Sequence, residues 1–138
     1  MPLPGRIQYV TRMKFSLDRP STAHVVRAHA PGLVRVGERS FSRSLVVTAR
    51  TLIEDWRPQS MADLSPADLE PLIALAPEVL LIGSGQRQAF PSRFVLAALH
   101  AAGLGFEIMD TGAACRTYNV LLAEGRNVAA ALIVEALP

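Results

Sequence analysis

In the second half of the chain, short apolar segments alternate with helix-like segments, and this alternation limits the possible folds. Residues 79–83, 106–110 and 128–134 are mainly apolar runs of strand length. Between them, 92–102 starts at Ser92, 111–125 starts at a cap that is either Asp110 or Thr111, and each segment is closed by glycine, as helices often are. Strands with few polar residues are typical of a sheet that is covered on both faces. The pattern therefore predicts a β-α-β-α-β portion of an α/β domain.

The first half contains valine-rich segments between turn residues. Segments 24–30, 32–37 and 41–49 are predicted strands, because β-favouring residues recur between Pro-Gly and Gly turns. We expect these strands to form an antiparallel meander. Residues 50–64 show no steady period and are predicted to be a connection. A helix is predicted over 65–76, where Ser-Pro supplies a cap and a first-turn proline.

Length and composition indicate one globular domain. The chain has 138 residues, half of them apolar and 19% charged, which excludes a disordered protein. A single cysteine excludes an internal disulfide framework and any multi-cysteine metal centre. We expect residues 1–22 to form an N-terminal arm and residues 23–138 to form a single α/β domain.

The charge pattern and the longest apolar run restrict the partners and the location. The net charge is only +2 and the arginines are scattered singly, so specific nucleic-acid binding is not expected. The longest mainly apolar run, 94–106, is interrupted by His100 and two glycines and is too short to span a bilayer. The first 17 residues lack the apolar stretch of a secretory signal, so we expect a cytoplasmic protein. The predicted helix 92–102 is apolar almost all round, which suggests self-association as a homo-oligomer.

A glycine-containing loop after the strand at 79–83 is the first candidate site. Gly83, Ser84 and Gly85 begin it, and residues without a Cβ let backbone N–H groups point at an anion. Arg87 can supply counter-charge. The G-x-G spacing lacks the third glycine of a dinucleotide site and does not match a phosphate-binding P-loop. The alternative is that the glycines form a tight turn at the end of the sheet.

The helix start after the strand at 106–110 is the second candidate site. If Thr111 caps this helix, Cys115 lies near its first turn, where the helix dipole and Arg116 favour a thiolate. No histidine is placed by a local pattern to act as its base, so Cys115 equally fits a small core residue. Arg116 and Asn119 share a helix face and can form a polar patch, although Arg116 can instead pair with Asp110.

The two segments follow neighbouring elements of the pattern, and open α/β sheets bind ligands beyond their strand ends. We therefore expect a cleft between 83–87 and 110–119 that takes a small anionic ligand. The three histidines show no ligand spacing, so no metal and no cofactor are predicted. No catalytic residue is predicted.

The order and spacing of several motifs resemble one known family. They are Trp56-Arg57-Pro58, LLIGSGQRQAFPS at 80–92, and GFEIMDTGAACRTYNVLLAEGRNVAAALI at 105–133. Over residues 24–135 the chain is similar to an uncharacterised domain that the mitochondrial assembly factor of respiratory complex I shares with small bacterial and archaeal proteins. The family pattern matches Gly83, Gly85, Asp110, Thr111, Cys115, Arg116, Thr117, Tyr118, Asn119, Glu124, Gly125 and Arg126.

This resemblance implies a three-layer α/β fold with a central mixed β-sheet. It also implies a non-catalytic binding or assembly module, whose protein partners are components that assemble a membrane complex. The competing hypothesis, which comes from the two candidate segments, is a small-molecule-binding or anion-binding protein or an enzyme.

Overall fold

The computed structural model describes residues 23–137, and the first of their elements form a small antiparallel sheet. Its strands are β1 (Val26–Ala30), β2 (Leu33–Val36) and β3 (Arg39–Phe41), in that order across the sheet. Each strand pairs antiparallel with the next, as the predicted meander requires. The predicted N-terminal arm, residues 1–22, lies outside the described residues.

A five-stranded mixed sheet forms the centre of the fold. Its strands are β4 (Leu45–Thr48), β5 (Leu52–Ile53), β6 (Val79–Gly83), β7 (Phe106–Met109) and β8 (Val128–Leu132). They lie in the order β5-β4-β8-β6-β7. β4 pairs antiparallel with β5 and β8, whereas β6 pairs parallel with β8 and β7. The expected central mixed sheet is therefore confirmed.

Helices cover both faces of this sheet. Two 3-10 turns (Met61–Asp63 and Pro66–Leu69) precede α1 (Glu70–Leu75), followed by α2 (Arg93–Ala101) and α3 (Thr111–Ala123). Side chains alternate along a strand, so the two faces of the sheet meet different cores. Leu81 of β6 packs with Tyr118 of α3 and the small sheet, whereas Leu80 and Ile82 pack with α1 and α2. The resulting three layers confirm the expected fold class.

The predicted strand over 41–49 was wrong as a single element. The chain bends at residues 42–44 and passes from the small sheet into the central sheet. Ser44 is buried at this crossing, where its Oγ accepts the Val134 N–H at 3.0 Å and its carbonyl accepts the Trp56 N–H at 2.9 Å. These contacts with distant segments fix the bend. They leave no pattern in the local sequence from which the bend could be predicted.

The predicted helix over 65–76 is also divided. Its first part is a 3-10 turn, and α1 begins only at Glu70, because Pro71 has no N–H to continue the helical bonding and fits only a first turn. α1 ends at Leu75, and the next residue, Ala76, has a left-handed φ of 48° and precedes Pro77. The connection predicted over 50–64 contains the short strand β5 and one 3-10 turn.

Candidate functional site

A recess of about 360 Å³ lies where the glycine loop after β6 meets the start of α3. The turn between β1 and β2 forms one wall, and residues 133–135, which follow β8, form another. Gly85, Thr111 and Arg116 all line this recess. The structure therefore brings together one predicted residue of the first candidate segment and two of the second.

The remaining predicted residues lie elsewhere. Ser84 and Arg87 line a second recess of about 410 Å³, beside Met61 of the first 3-10 turn. The two recesses share Gln86 and Glu135. Gly83, Cys115 and Asn119 line neither of them.

Direct hydrogen bonds join the glycine loop to α3. The Thr111 N–H donates to the Gly85 carbonyl at 2.8 Å, and the Gly85 N–H donates to Thr111 Oγ1 at 2.9 Å. The same hydroxyl donates to the Ile133 carbonyl at 2.7 Å. A Cβ on Gly83 would lie 2.9 Å from the Thr111 Cα, so only glycine allows this approach. The two segments therefore touch at their bases, and the recess opens beside this contact.

Ser84 holds the loop in its turn. The side chain is buried, its hydroxyl donates to the Arg87 carbonyl at 2.7 Å, and it accepts the Ala89 N–H at 3.1 Å. Both bonds stay within the loop. Ser84 therefore fits the alternative of a tight turn better than that of a ligand contact.

Glu135 is a residue of this site that sequence reasoning missed. Its Oε1 accepts the Gln86 N–H at 2.8 Å, and a Cβ on Gly85 would lie 2.5 Å from its carboxyl carbon. The Gln86 N–H of the loop therefore already has a partner within the chain, the Glu135 carboxylate. Glu135 is the only acidic residue after Glu124, and this isolated charge was the signal available in the sequence.

Arg116 provides positive charge at the rim of the recess. Its Nη1 lies 3.5 Å from Nε2 of His29, and no carboxylate within residues 23–137 pairs with it. The alternative pairing with Asp110 is not observed there; the Asp110 Oδ1 instead accepts the Ala113 N–H at 2.8 Å as the cap of α3. The guanidinium is exposed and available to an anion from solvent.

Cys115 belongs to the core on the α3 side of the sheet. Its side chain is only 1% exposed. Burial raises the pKa of this thiol to about 12, and the nearby Arg116 charge lowers it too little to compensate. The thiol is therefore neutral at pH 7 and is a poor nucleophile.

Asn119 binds the small sheet instead of forming a patch with Arg116. Its side-chain Nδ2 donates to the Val26 carbonyl at 2.7 Å, and its Oδ1 accepts the Val26 N–H at 3.0 Å. The amide thus pairs with the edge of β1 as a neighbouring strand would. Because both polar groups are used in these bonds, Asn119 is a structural residue.

A central mixed sheet covered on both faces, with a glycine loop bonded to a helix start at its edge, defines a small three-layer α/β domain. The family model described as "Protein of unknown function (DUF498/DUF598)" matches residues 26–133. The chain belongs to this family.

Relatives and solved structures agree with this membership. The chain is 40% identical over 125 residues to NADH dehydrogenase [ubiquinone] 1 alpha subcomplex assembly factor 3 of Danio rerio, covering 89% of this chain and 71% of that protein. A crystal structure of a Bordetella parapertussis protein is 40% identical with a TM-score of 0.76, covering 84% of this chain and all of that one. An NMR structure from Xanthomonas campestris is 40% identical with a TM-score of 0.77, covering 91% and 96%.

Over residues 23–137, no helix combines the length and the apolar character needed to cross a membrane. In the same range, no three His, Cys, Asp or Glu side chains are grouped so that they could hold a metal ion.

Proposed function

We propose that this chain is a non-catalytic binding module that acts in the assembly of respiratory complex I. The observation that carries this proposal is the similarity to the Danio rerio assembly factor, which extends over 89% of the chain. Similarity of this extent includes both candidate segments and both layers that cover the central sheet. The partners would be subunits of the NADH dehydrogenase complex or other components of its assembly.

The chemistry of the site supports binding over catalysis. The strongest nucleophile candidate, Cys115, is buried and has a raised pKa. The hydroxyls of Ser84 and Thr111 are used in hydrogen bonds within the domain. What remains accessible is a recess with Arg116 at its rim, which can hold a partner's side chain or a small ligand.

Affinity capture tests the assembly proposal. Tagged protein would be crosslinked and recovered from detergent-solubilised membranes of the source organism, and the captured proteins identified by mass spectrometry. We expect subunits of the NADH dehydrogenase complex that disappear when excess untagged chain competes. If no such subunit is recovered from membranes rich in that complex, the proposal is wrong.

The shared recess favours a second candidate function, the binding of a small anionic ligand. Gly85, Thr111 and Arg116 line one recess of about 360 Å³, the size of a small-molecule site. A charge-assisted contact to Arg116 would contribute about 1–3 kcal/mol. The Glu135 carboxylate on the neighbouring loop opposes a second anion, so a ligand there must be recognised mainly from the Arg116 side.

Thermal unfolding against a panel of carboxylates, phosphates and nucleotides tests this second function. A ligand at 100 times its dissociation constant stabilises the folded state by about 2.7 kcal/mol. Arg116→Gln should abolish the shift, whereas Arg50→Gln, an exposed arginine that lines neither recess, should not. A flat panel contradicts this function and leaves the assembly proposal standing.

The cytoplasmic location, self-association through α2 and the division into an arm and one domain stay predictions. Cell fractionation, light scattering and limited proteolysis test them in turn. Association that survives dilution to nanomolar concentration would support the homo-oligomer.

A further inference from the structure

Two aromatic rings protrude from the molecule at the start of α2. Phe90 in the preceding loop is 68% exposed, and Phe94 in the first turn of α2 is 63% exposed. α2 packs on the central sheet through Val95 and Leu99 instead. Aromatic side chains stabilise a fold when they are removed from water. These two exposed rings therefore contribute little to the stability of the domain.

Two arginines lie beside these rings in the sequence. Arg87 and Arg93 flank them, and within residues 23–137 no carboxylate pairs with either arginine. The Arg93 guanidinium carbon lies 5.1 Å from the centre of the Phe94 ring. We call these four residues, Arg87, Phe90, Arg93 and Phe94, the aromatic–arginine surface.

Acidic residues are absent from the segment that carries this surface. No Asp or Glu occurs from residue 79 to residue 106. Glu78, just before it, is paired with Arg126 at 2.9 Å. Glu107, just after it, alternates with Phe106 and Ile108, which pack on the α2 side, so its side chain points to the opposite face of the sheet. Glu135 lines the second recess together with Arg87, but within residues 23–137 it forms no salt bridge with Arg87 or Arg93. The surface is therefore apolar and carries a net positive charge.

We propose that the aromatic–arginine surface docks onto an anionic phospholipid surface. Phe90 and Phe94 are mostly exposed, and neither ring lines one of the two recesses described above. Projecting rings suit a fluid interface, which closes around them at the depth of the headgroups. The arginine side chains then lie beside the rings with their guanidinium groups at the lipid phosphates. A protein partner would need its own groove with acidic rims.

Vesicle sedimentation tests this inference. The probes are vesicles of pure phosphatidylcholine and vesicles of phosphatidylcholine and phosphatidylglycerol in equal amounts. We expect binding to the anionic vesicles that weakens at high salt and is much weaker on the neutral ones. Phe90→Ser and Phe94→Ser should each reduce the partition coefficient about tenfold. Arg87→Gln and Arg93→Gln should each reduce it about fivefold on the anionic vesicles only.

A matched control comes from α3. Val120 is 57% exposed and lies on the other side of the central sheet, so Val120→Ser should leave vesicle binding unchanged. All these side chains are exposed, and unchanged melting temperatures would show that the variants remain folded.

The docking proposal is overturned by any of three results. In the first, the wild-type protein stays in the supernatant at every lipid concentration. In the second, the double variant Phe90→Ser/Phe94→Ser binds vesicles as strongly as the wild type does. In the third, a purified protein partner binds the chain only when both rings are present, and the chain does not bind vesicles. Vesicle binding requires no partner protein, so its failure is separate from a failure of the assembly proposal.

Discussion

Replacing Asp68 by asparagine tests how the Trp56-Arg57-Pro58 motif stabilises the fold. Arg57 Nε donates to Asp68 Oδ1 at 2.8 Å, and Arg57 Nη2 donates to Oδ2 at 2.6 Å. The Asp68 side chain is only 8% exposed and also accepts the Ser65 N–H at 2.8 Å. Trp56 Nε1 donates to the Asp68 carbonyl at 3.1 Å. One carboxylate thus joins the motif to the turn that leads into α1.

The magnitude follows from the ionisation of this carboxylate. The hydrogen bonds from Arg57, followed by those from Ser65, lower the pKa of Asp68 from 3.8 to about 2 despite its burial. A shift of this size corresponds to about 2 kcal/mol of stability at neutral pH. Arg57 is half exposed, and solvent screening reduces this contribution. We therefore expect Asp68→Asn to cost about 1–2 kcal/mol at pH 7.

The sign of the pH dependence is fixed by the lowered pKa. The contribution is fully present above the pKa of the unfolded chain, 3.8, and is lost as the pH falls towards about 2. The difference in stability between wild type and Asp68→Asn should therefore shrink across this interval.

Urea unfolding monitored by the fluorescence of Trp56, the single tryptophan of the chain, measures this difference. Asp55→Asn is the control, because Asp55 forms a mainly exposed pair with Arg43 and should change stability by less than about 0.5 kcal/mol. If wild type and Asp68→Asn have equal stability at pH 7, or differ by a constant amount down to about pH 2, the reasoning is refuted.

Three further predictions concern the site. Cys115 should react slowly with iodoacetamide at pH 7, because its thiol is buried and has a pKa of about 12; rapid labelling of the folded protein would contradict this. Asn119→Leu should lower the free energy of unfolding by about 2–4 kcal/mol, since Val26 loses both side-chain partners; an unchanged denaturation midpoint would disprove the bridging role. Gly85→Ala should cost about 1–3 kcal/mol, because Gly85 has a φ of 109° and its Cβ would meet Glu135; calorimetry with an unshifted melting temperature would refute it.

Local signals predicted the elements of the second half well. Ser92 and Asp110 cap α2 and α3, each accepting a backbone N–H three residues ahead, and both residues are visible as helix starts in the sequence. β6 and β8 lie inside predicted strands because each is a short apolar run between turn residues. The resemblance supplied what these patterns do not give, a mixed sheet in three layers.

Contacts between distant segments could not be predicted in this way. β8 lies between β4 and β6 in the central sheet. This order is set by how the strands pack, and the residues of β8 alone do not indicate it. The bend at Ser44 depends on Val134, 90 residues later. Asn119 reaches Val26 across 93 residues, so its role as a strand-like partner has no local signature.

Only part of the candidate site could be predicted, because some of its contacts also come from distant segments. Ligands of open α/β sheets bind beyond the carboxyl ends of the strands, and this rule needs only the direction of the strands. It was therefore enough to predict that Gly85 and Arg116 lie near each other, and both line one recess. It could not show that Glu135 already lies on the loop, because that contact comes from the segment after β8.

The amount of assembled complex I in cells that lack this protein tests the central claim most directly. It would be measured by in-gel NADH dehydrogenase activity after native electrophoresis of the membranes. We expect assembled complex to fall in the deletion strain and to return with wild-type protein and with Cys115→Ala, since a binding module needs no thiol nucleophile. Normal assembly in the deletion strain, or rescue by wild type but not by a folded Cys115→Ala variant, would contradict a non-catalytic role in assembly.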